Sequence, residues 1–188
     1  MNALPVQKID PYTKEEFFAW CEEHSDEKFE LVNGEIVAIA GASETHATIT
    51  SNFTREMGNH VKWTKCFVHS SDFYVEIQSQ FHTYRLPDVV VNCKDDDGKR
   101  KPILIIEVTS KSTHYNDFNE KMSDYCTIPT LLEYAIVEQT RKVVYLFRKS
   151  RNWQAESYNS GEIHFESIDY SMPIEEIYYE VAFERSRS

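Results

Sequence analysis

Three carboxylates interrupt apolar, strand-like runs, and this feature constrains the fold of the chain most. Glu30 lies in Phe-Glu-Leu-Val, Asp88 in Leu-Pro-Asp-Val-Val-Val, and Glu107 in Ile-Leu-Ile-Ile-Glu-Val. Burying an ionised carboxylate without a partner costs several kcal/mol. Each of the three therefore requires a basic partner, a metal ion or a place at the exposed end of a strand. For any one of them taken alone, pairing with Lys or Arg is the simplest interpretation.

The apolar periodicity of the chain predicts an α/β domain, with a mixed β-sheet that carries helices on its faces. Thr13 and Glu16 have the spacing of a capping box, and Asn33-Gly34 separates two apolar runs as in a two-residue hairpin turn. Helices are predicted over residues 13–25, 45–62, 116–126 and 174–179, and strands over residues 29–39 (one hairpin), 66–69, 73–77, 84–91, 102–108, 132–137, 143–148, 153–158 and 163–165.

Composition limits the class of protein. The 188 residues suit a single domain over residues 1–188, and 20 Lys and Arg against 31 Asp and Glu give a net charge of −11. This balance argues against a sequence-wide attraction to nucleic acid, although a local basic patch or carboxylate-held metal ions would still permit DNA binding or cleavage.

The cellular compartment is predicted from apolar runs, the N-terminal pattern and the spacing of the cysteines. No apolar run has the length of a membrane span, and the N-terminus has no signal-peptide pattern. Cys21, Cys66, Cys93 and Cys126 are far apart and include no Cys-x-x-Cys pair, which favours reduced thiols over a disulfide framework or a zinc site. A cytoplasmic protein without membrane contact is predicted.

Two of the interrupting carboxylates are expected to meet. Asp88 and Glu107 lie 19 residues apart on two predicted strands, which one hydrophilic loop over residues 94–101 connects. Neighbouring antiparallel strands have this arrangement, and it brings both carboxylates within reach of one ion. Mg²⁺ prefers oxygen ligands and is usually held by one or two carboxylates together with waters and substrate phosphate.

A lysine falls on the inward face of the predicted helix that follows. Lys121 lies within the apolar stripe formed by Phe118, Met122 and Tyr125. Its side chain either extends along apolar surface to solvent or points toward the sheet edge that carries Glu107. In the second case, carboxylates, a metal ion and one lysine form a constellation that hydrolyses phosphodiester bonds.

An ordered series of motifs runs from residue 29 to residue 139. They are Phe-Glu-Leu-Val-Asn-Gly-Glu-Ile (29–36), His46, Leu-Pro-Asp-Val-Val-Val (86–91), Ile-Glu-Val-Thr-Ser-Lys-Ser-Thr (106–113), residues 117–121 with Tyr125 and Pro129, and Leu-Leu-Glu-Tyr-Ala-Ile-Val-Glu-Gln (131–139). Over about residues 11–149 the chain resembles the bacterial Uma-type restriction endonuclease family of the PD-(D/E)XK superfamily. The resemblance implies a restriction endonuclease-like fold and a homodimeric endonuclease that acts on DNA with Mg²⁺ or Mn²⁺, with residues 150–188 adding C-terminal strands and a short helix.

The resemblance also implies a metal site. Asp88 matches the motif aspartate and Glu107 the motif glutamate, both of them metal ligands. The backbone carbonyl of Val108 matches a further ligand. Glu30 matches a glutamate of the N-terminal segment that helps to hold or order the site.

The lysine of the superfamily is displaced in this chain. It normally follows the glutamate by two residues, on the same strand face, but Thr109 occupies that position. Lys121 matches the place to which the lysine moves in the resembling family. Lys111 is a weaker substitute, because the family usually has proline there.

The alternative is a catalytically inactive nuclease fold that binds nucleic acid or protein, since a fold does not by itself guarantee an activity. Glu30, Asp88, Glu107 and Lys121 all retain competent side chains, which favours the enzyme. His46 is predicted to lie on a helix surface or to hydrogen-bond in the core rather than to take part in catalysis. Candidate DNA contacts are the basic clusters at residues 99–101, 141–142 and 148–151 and the polar side chains Gln78, Gln80 and His82.

Overall fold

A computed structural model describes residues 10–110 and 113–183. Two compact units are present: the first comprises residues up to 41 together with 74–86, and the second comprises residues 42–73 and those from 87 onward. In chain order the elements are α1 (Lys14–Glu23), β1 (Lys28–Val32), β2 (Glu35–Ile39), α2 (Glu44–His60), β3 (Cys66–Ser70), β4 (Val75–Ile77), β5 (Thr83–Arg85), β6 (Val89–Lys94), β7 (Arg100–Thr109), α3 (His114–Asn116), a π-helical turn (Asp117–Lys121), α4 (Met122–Cys126), β8 (Glu133–Glu138), β9 (Val144–Arg148), a 3-10 turn (Lys149–Arg151), β10 (Ala155–Tyr158), β11 (Glu162–Phe165), a 3-10 turn (Glu166–Ile168), β12 (Tyr170–Pro173) and α5 (Ile174–Ile177).

The first unit is a four-stranded antiparallel sheet in the order β2-β1-β5-β4, with α1 packed on it. The predicted capping box is present, since the Thr13 hydroxyl accepts from the Glu16 N–H and the Glu16 carboxylate accepts from the Thr13 N–H. The predicted hairpin turns at Asn33 (φ 50°) and Gly34 (φ 80°). A Cβ at Gly34 would lie 2.4 Å from the Pro11 Cβ, so both the backbone angle and the space require glycine there.

The second unit is built on a six-stranded sheet in the order β10-β9-β8-β7-β6-β3. The β7–β8 pair is parallel and the other pairs are antiparallel, so the sheet is mixed. On one face, Ile49 and Phe53 of α2 pack into a fully buried cluster with side chains of the sheet. On the other face, the ring of Phe118 contacts that of Tyr145 at 5.1 Å between centroids. The predicted α/β fold with a mixed sheet between helices is therefore confirmed.

One predicted strand is in fact two. Residues 84–91 were expected to form one strand, but β5 ends at Arg85 in the sheet of the first unit and β6 begins at Val89 in the sheet of the second. Pro87 lies between them and has no backbone N–H for a strand ladder, so it interrupts the pairing at this point. Asp88 consequently stands just before a strand rather than within one.

The cysteines differ from the sequence-based expectation. Cys66 of β3 lies directly opposite Cys93 of β6, and the two form a disulfide. The expectation of reduced thiols is therefore wrong for this pair, because spacing along the chain does not reveal which strands pair. Cys21 and Cys126 are free thiols, and burial raises the pKa of Cys126 to about 11. Since disulfides are rare in the cytosol, the cytoplasmic location stays a prediction.

The described helices do not have the character of membrane spans. The longest helix among the described residues, α2, has 17 residues and carries charged side chains. Within the part of the chain that the structure describes, no helix combines the length and apolarity that crossing a bilayer requires.

Candidate active site

The site begins where β6 and β7 pair. Val89 lies opposite Ile106 in the antiparallel register, so the next pair along places Asp88 opposite Glu107. The Val108 backbone N–H donates to the Asp88 Oδ2 at 2.7 Å. This bond holds the Asp88 carboxylate against the strand that carries Glu107, while its side chain retains 18 % exposure.

A histidine contacts the same carboxylate oxygen. His46 lies in the first turn of α2, whose N-cap Ser43 accepts from the His46 N–H and donates its own hydroxyl to Gln139. The His46 Nε2 is 3.0 Å from the Asp88 Oδ2. The sequence predicts His46 on a helix surface or in a hydrogen-bonding core position. Its contact with Asp88, 42 residues further along the chain, is a tertiary one that helical periodicity does not indicate.

The environment of Asp88 favours the charged form. Burial alone would raise the pKa of the carboxyl group. The hydrogen bond and charge of His46, the Val108 N–H and the positive charge of Lys121 outweigh burial and lower the pKa of Asp88 below its usual value. Asp88 is therefore ionised at neutral pH.

The second carboxylate is almost completely buried. Glu107 is 2 % exposed, and its Oε1 accepts a hydrogen bond of 2.7 Å from the Tyr125 hydroxyl. The Lys121 Nζ lies 3.0 Å from the same oxygen. Of the two orientations open to Lys121, the structure has the inward one, toward the sheet edge.

A third carboxylate lies beside the lysine. Asp117 begins the π-helical turn that Lys121 ends, and its Oδ1 is 3.7 Å from the Lys121 Nζ. The fully buried Tyr134 donates its hydroxyl to the Asp117 carbonyl at 3.0 Å. Burial and the charges of Glu107 and Asp117 raise the pKa of Tyr134, so the hydroxyl remains a donor. Asp117 belongs to one of the motifs, but its position beside Lys121 was not predicted.

Glu30 lies in the first unit, in a different set of contacts. Its Oε2 accepts from the Arg85 guanidinium at 3.0 Å and its Oε1 from the Leu86 N–H at 2.9 Å. Glu30 and Arg85 are both buried. These contacts fit the simplest interpretation of an interrupting carboxylate, which is a pair with a basic residue. A role of Glu30 in ordering a metal site stays a prediction.

Two further predictions concern basic residues. Lys111, the weaker candidate for the catalytic lysine, lies outside the described residues. Arg148 is 3 % exposed and pairs with the buried Glu133, so it is not available to a DNA phosphate. Arg141 is exposed but pairs with Glu138 at 2.7 Å.

The donor atoms fit a hard divalent cation that also binds water. The described residues hold no group of three or more His, Cys, Asp or Glu side chains arranged as a ready-made metal site. Mg²⁺ needs fewer protein ligands, since one or two carboxylates suffice when waters and phosphate complete its shell. Asp88 and Glu107 supply these carboxylates, and no described residue donates a hydrogen bond to the Asp88 Oδ1.

Comparison with known proteins agrees with the motifs. The Uma2 family model, described as "Putative restriction endonuclease", matches residues 14–168. The uncharacterized protein slr1290 of Synechocystis sp. (strain ATCC 27184 / PCC 6803 / Kazusa) is 31 % identical over 189 residues, covering 96 % of this chain and 97 % of that protein. The uncharacterized protein sll1609 of the same organism is 35 % identical over 125 residues, covering 63 % of this chain and 70 % of that protein.

A solved structure shares the fold. A crystal structure from Anabaena variabilis ATCC 29413, described as a putative nuclease belonging to DUF820, matches with a TM-score of 0.69. The match covers 89 % of this chain and 98 % of that chain, at 14 % sequence identity. At this identity the likeness concerns the fold alone.

Proposed function

Because this chain belongs to the Uma2 restriction endonuclease family, we propose that it is a metal-dependent endonuclease that hydrolyses DNA phosphodiester bonds with Mg²⁺ or Mn²⁺. The observation that carries the proposal is the meeting of Asp88 and Glu107 at one edge of the β6–β7 pair, with Lys121 3.0 Å from Glu107. A mixed cluster of buried carboxylates and one ammonium is expensive to fold and is typical of catalytic sites.

Each residue has a role in this proposal. Asp88 and Glu107 would hold the cation, with the Val108 carbonyl as a third oxygen. Bound there, the ion supplies a water of lowered pKa and neutralises the scissile phosphate. The Lys121 ammonium orients the attacking water and stabilises the charge that develops on the phosphate oxygens. The Val108 N–H and His46 keep the Asp88 carboxylate in place.

The test combines metal binding with cleavage. Mn²⁺ titration calorimetry and a plasmid-nicking assay compare the wild type with Asp88→Asn and Glu107→Gln, which keep side-chain shape and remove charge. Glu162→Gln, at an exposed position of β11, is the matched control. We expect the two site variants to lose both Mn²⁺ binding and cleavage, and the control to retain both.

Three results would contradict the proposal in different ways. A wild type that binds neither Mg²⁺ nor Mn²⁺ has no metal site. A wild type that binds the ion but cleaves neither DNA nor RNA is the inactive binding module. Cleavage of RNA without cleavage of DNA would retain the chemistry and reject the substrate.

We also propose that the active form is a homodimer, since a symmetric cut of duplex DNA requires two active sites. Light scattering on the purified chain should then report twice the mass of one chain. A monomer at concentrations that support duplex cleavage would contradict this.

A further inference from the structure

We propose that Asp117 is a positioning residue for Lys121. When Glu107 holds a metal ion, Asp117 becomes the ion-pair partner of the Lys121 ammonium. The inference rests on the proposed metal-dependent function. It concerns a carboxylate to which neither the motifs nor the superfamily lysine pattern assigns a role.

Lys121 lies between two carboxylates at unequal distances. Its Nζ is 3.0 Å from the Glu107 Oε1, within hydrogen-bond range, and 3.7 Å from the Asp117 Oδ1, beyond it. The two carboxylate side chains are each 3 % exposed, and the Lys121 side chain is 14 % exposed. In this state Glu107 is therefore the primary partner and Asp117 the secondary one.

The Asp117 carboxylate has one long ionic contact among the described residues. Among the described residues, Lys121 is the cation in contact with its carboxylate, and no described group donates a hydrogen bond to the Asp117 side chain. A buried carboxylate with one partner at 3.7 Å is unfavourable. Such departures from good local chemistry are found mainly at functional sites.

The backbone keeps Asp117 in this position. Residues 117–121 form a single π-helical turn, a feature that occurs frequently at functional sites. The turn begins at Asp117 and ends at Lys121, which puts both side chains on the face directed at the sheet. The hydrogen bond from the Tyr134 hydroxyl to the Asp117 carbonyl fixes the start of the turn.

Electrostatic repulsion explains why the Lys121 ammonium needs a second carboxylate partner when a cation binds to Glu107. An ammonium at 3.0 Å from Glu107 competes with any cation that uses the same carboxylate, because like charges repel strongly where solvent is excluded. Lys121 must release Glu107 without leaving the site. Closing the 3.7 Å gap to Asp117 to hydrogen-bond length requires a movement of about 1 Å.

The test is a double-mutant cycle read by Mn²⁺ calorimetry without nucleic acid. In Asp117→Asn, Lys121 remains on Glu107, so Mn²⁺ affinity should fall about tenfold, within the coupling range of contacting charged residues. Lys121→Met removes the competitor and should bind Mn²⁺ at least as tightly as the wild type. The double variant should match Lys121→Met, since Asp117 then has no lysine to hold.

Two further variants separate charge from structure. Glu120→Gln removes a carboxylate from the same helical turn at an exposed position, and it should leave Mn²⁺ affinity unchanged. Asp117→Glu keeps the charge and should restore most of the affinity that Asp117→Asn loses. Thermal unfolding without metal confirms folding, and Asp117→Ser replaces Asp117→Asn in the cycle if the amide does not fold.

The outcomes distinguish this inference from the proposed function. If the wild type binds no Mn²⁺, the proposed function fails first. If it binds Mn²⁺ and the Asp117 substitution weakens binding equally with and without Lys121, Asp117 acts as a ligand or through bulk charge, and the positioning role is wrong. Unchanged affinity in Asp117→Asn also overturns it.

Discussion

At the scale of single residues, the lysine next to Glu107 differs in position from the lysine of the superfamily that the chain resembles. Thr109 occupies the position two residues after Glu107. Its side chain is buried, and its hydroxyl donates a hydrogen bond to the Ser110 carbonyl. The ammonium that contacts Glu107 belongs instead to Lys121, at the end of the π-helical turn. A helix packed on the sheet face thus supplies the charge that the strand lacks.

Lys121→Met is expected to keep the fold and metal binding and to lower DNA cleavage by about 10²–10³-fold, the loss typical of one preorganised electrostatic group. Initial rates of plasmid nicking measure the effect, with Lys65→Met as a control at an exposed position outside the candidate DNA contacts. Lys111→Met should cost much less. An active Lys121→Met beside an inactive Lys111→Met would show that the lysine assignment is wrong.

Asp88→Asn is expected to destabilise the metal-free protein at pH 7, although repulsion between carboxylates would suggest the reverse. The folded state lowers the pKa of Asp88, so its charged form stabilises the fold above the unfolded pKa of about 3.9. That contribution disappears as pH falls through the lower folded pKa. Urea unfolding of the wild type and Asp88→Asn from pH 7 to pH 2 should show a difference that closes below about pH 4.

The control for this experiment is Asp96→Asn, in the exposed turn between β6 and β7. Its free energy of unfolding should follow the wild type throughout. A more stable Asp88→Asn at pH 7 would mean that carboxylate repulsion exceeds the contributions of His46, the Val108 N–H and Lys121.

At the scale of elements, β3 is an edge strand that a disulfide bond links to the neighbouring strand β6. Its partner β6 begins directly after Asp88, and the disulfide joins the two strands at the opposite end of their ladder, where Cys66 faces Cys93. The bond joins two residues that are 27 positions apart, and disulfides of this kind contribute about 2–4 kcal/mol to stability.

Thiol titration in denaturant should therefore find two free thiols per chain, Cys21 and Cys126, and four after reduction. Reduction should lower the free energy of unfolding by about 2–4 kcal/mol. The Cys66→Ala/Cys93→Ala variant should match the reduced wild type. Four thiols in the unreduced protein would show that β3 and β6 are held by backbone pairing and packing alone.

At the scale of the whole molecule, net charge opposes binding to DNA. The chain carries a charge of −11, and several basic side chains of the predicted contact clusters already pair with carboxylates. If the chain acts as proposed, attraction to a phosphate backbone should therefore depend on a bound cation more than on a basic surface.

Duplex DNA should bind at least about tenfold more tightly in Ca²⁺ than in EDTA at physiological ionic strength, because the cation bridges carboxylates and phosphate. Fluorescence anisotropy with a labelled duplex measures this without cleavage. The Asp88→Asn/Glu107→Gln variant should lose the enhancement. Equal affinity in Ca²⁺ and EDTA would place DNA binding on a surface independent of the site.

Local features of the sequence determined much of the fold. The capping box at Thr13 and the turn at Asn33-Gly34 depend on residues within a few positions of one another, so spacing alone predicts them. Asp88 and Glu107 were expected on adjacent strands because one short hydrophilic loop joins those strands, and the register agrees.

Tertiary structure decided which groups surround each carboxylate. His46 meets Asp88 across 42 residues, Arg85 meets Glu30 across 55, and Cys66 meets Cys93 across 27. Periodicity places a side chain on a face of its own element, but the partner on the facing element depends on how the elements pack. For this reason the sequence identified the charged residues of the candidate site, and only the packed structure paired Asp88 with His46 and Lys121 with two carboxylates.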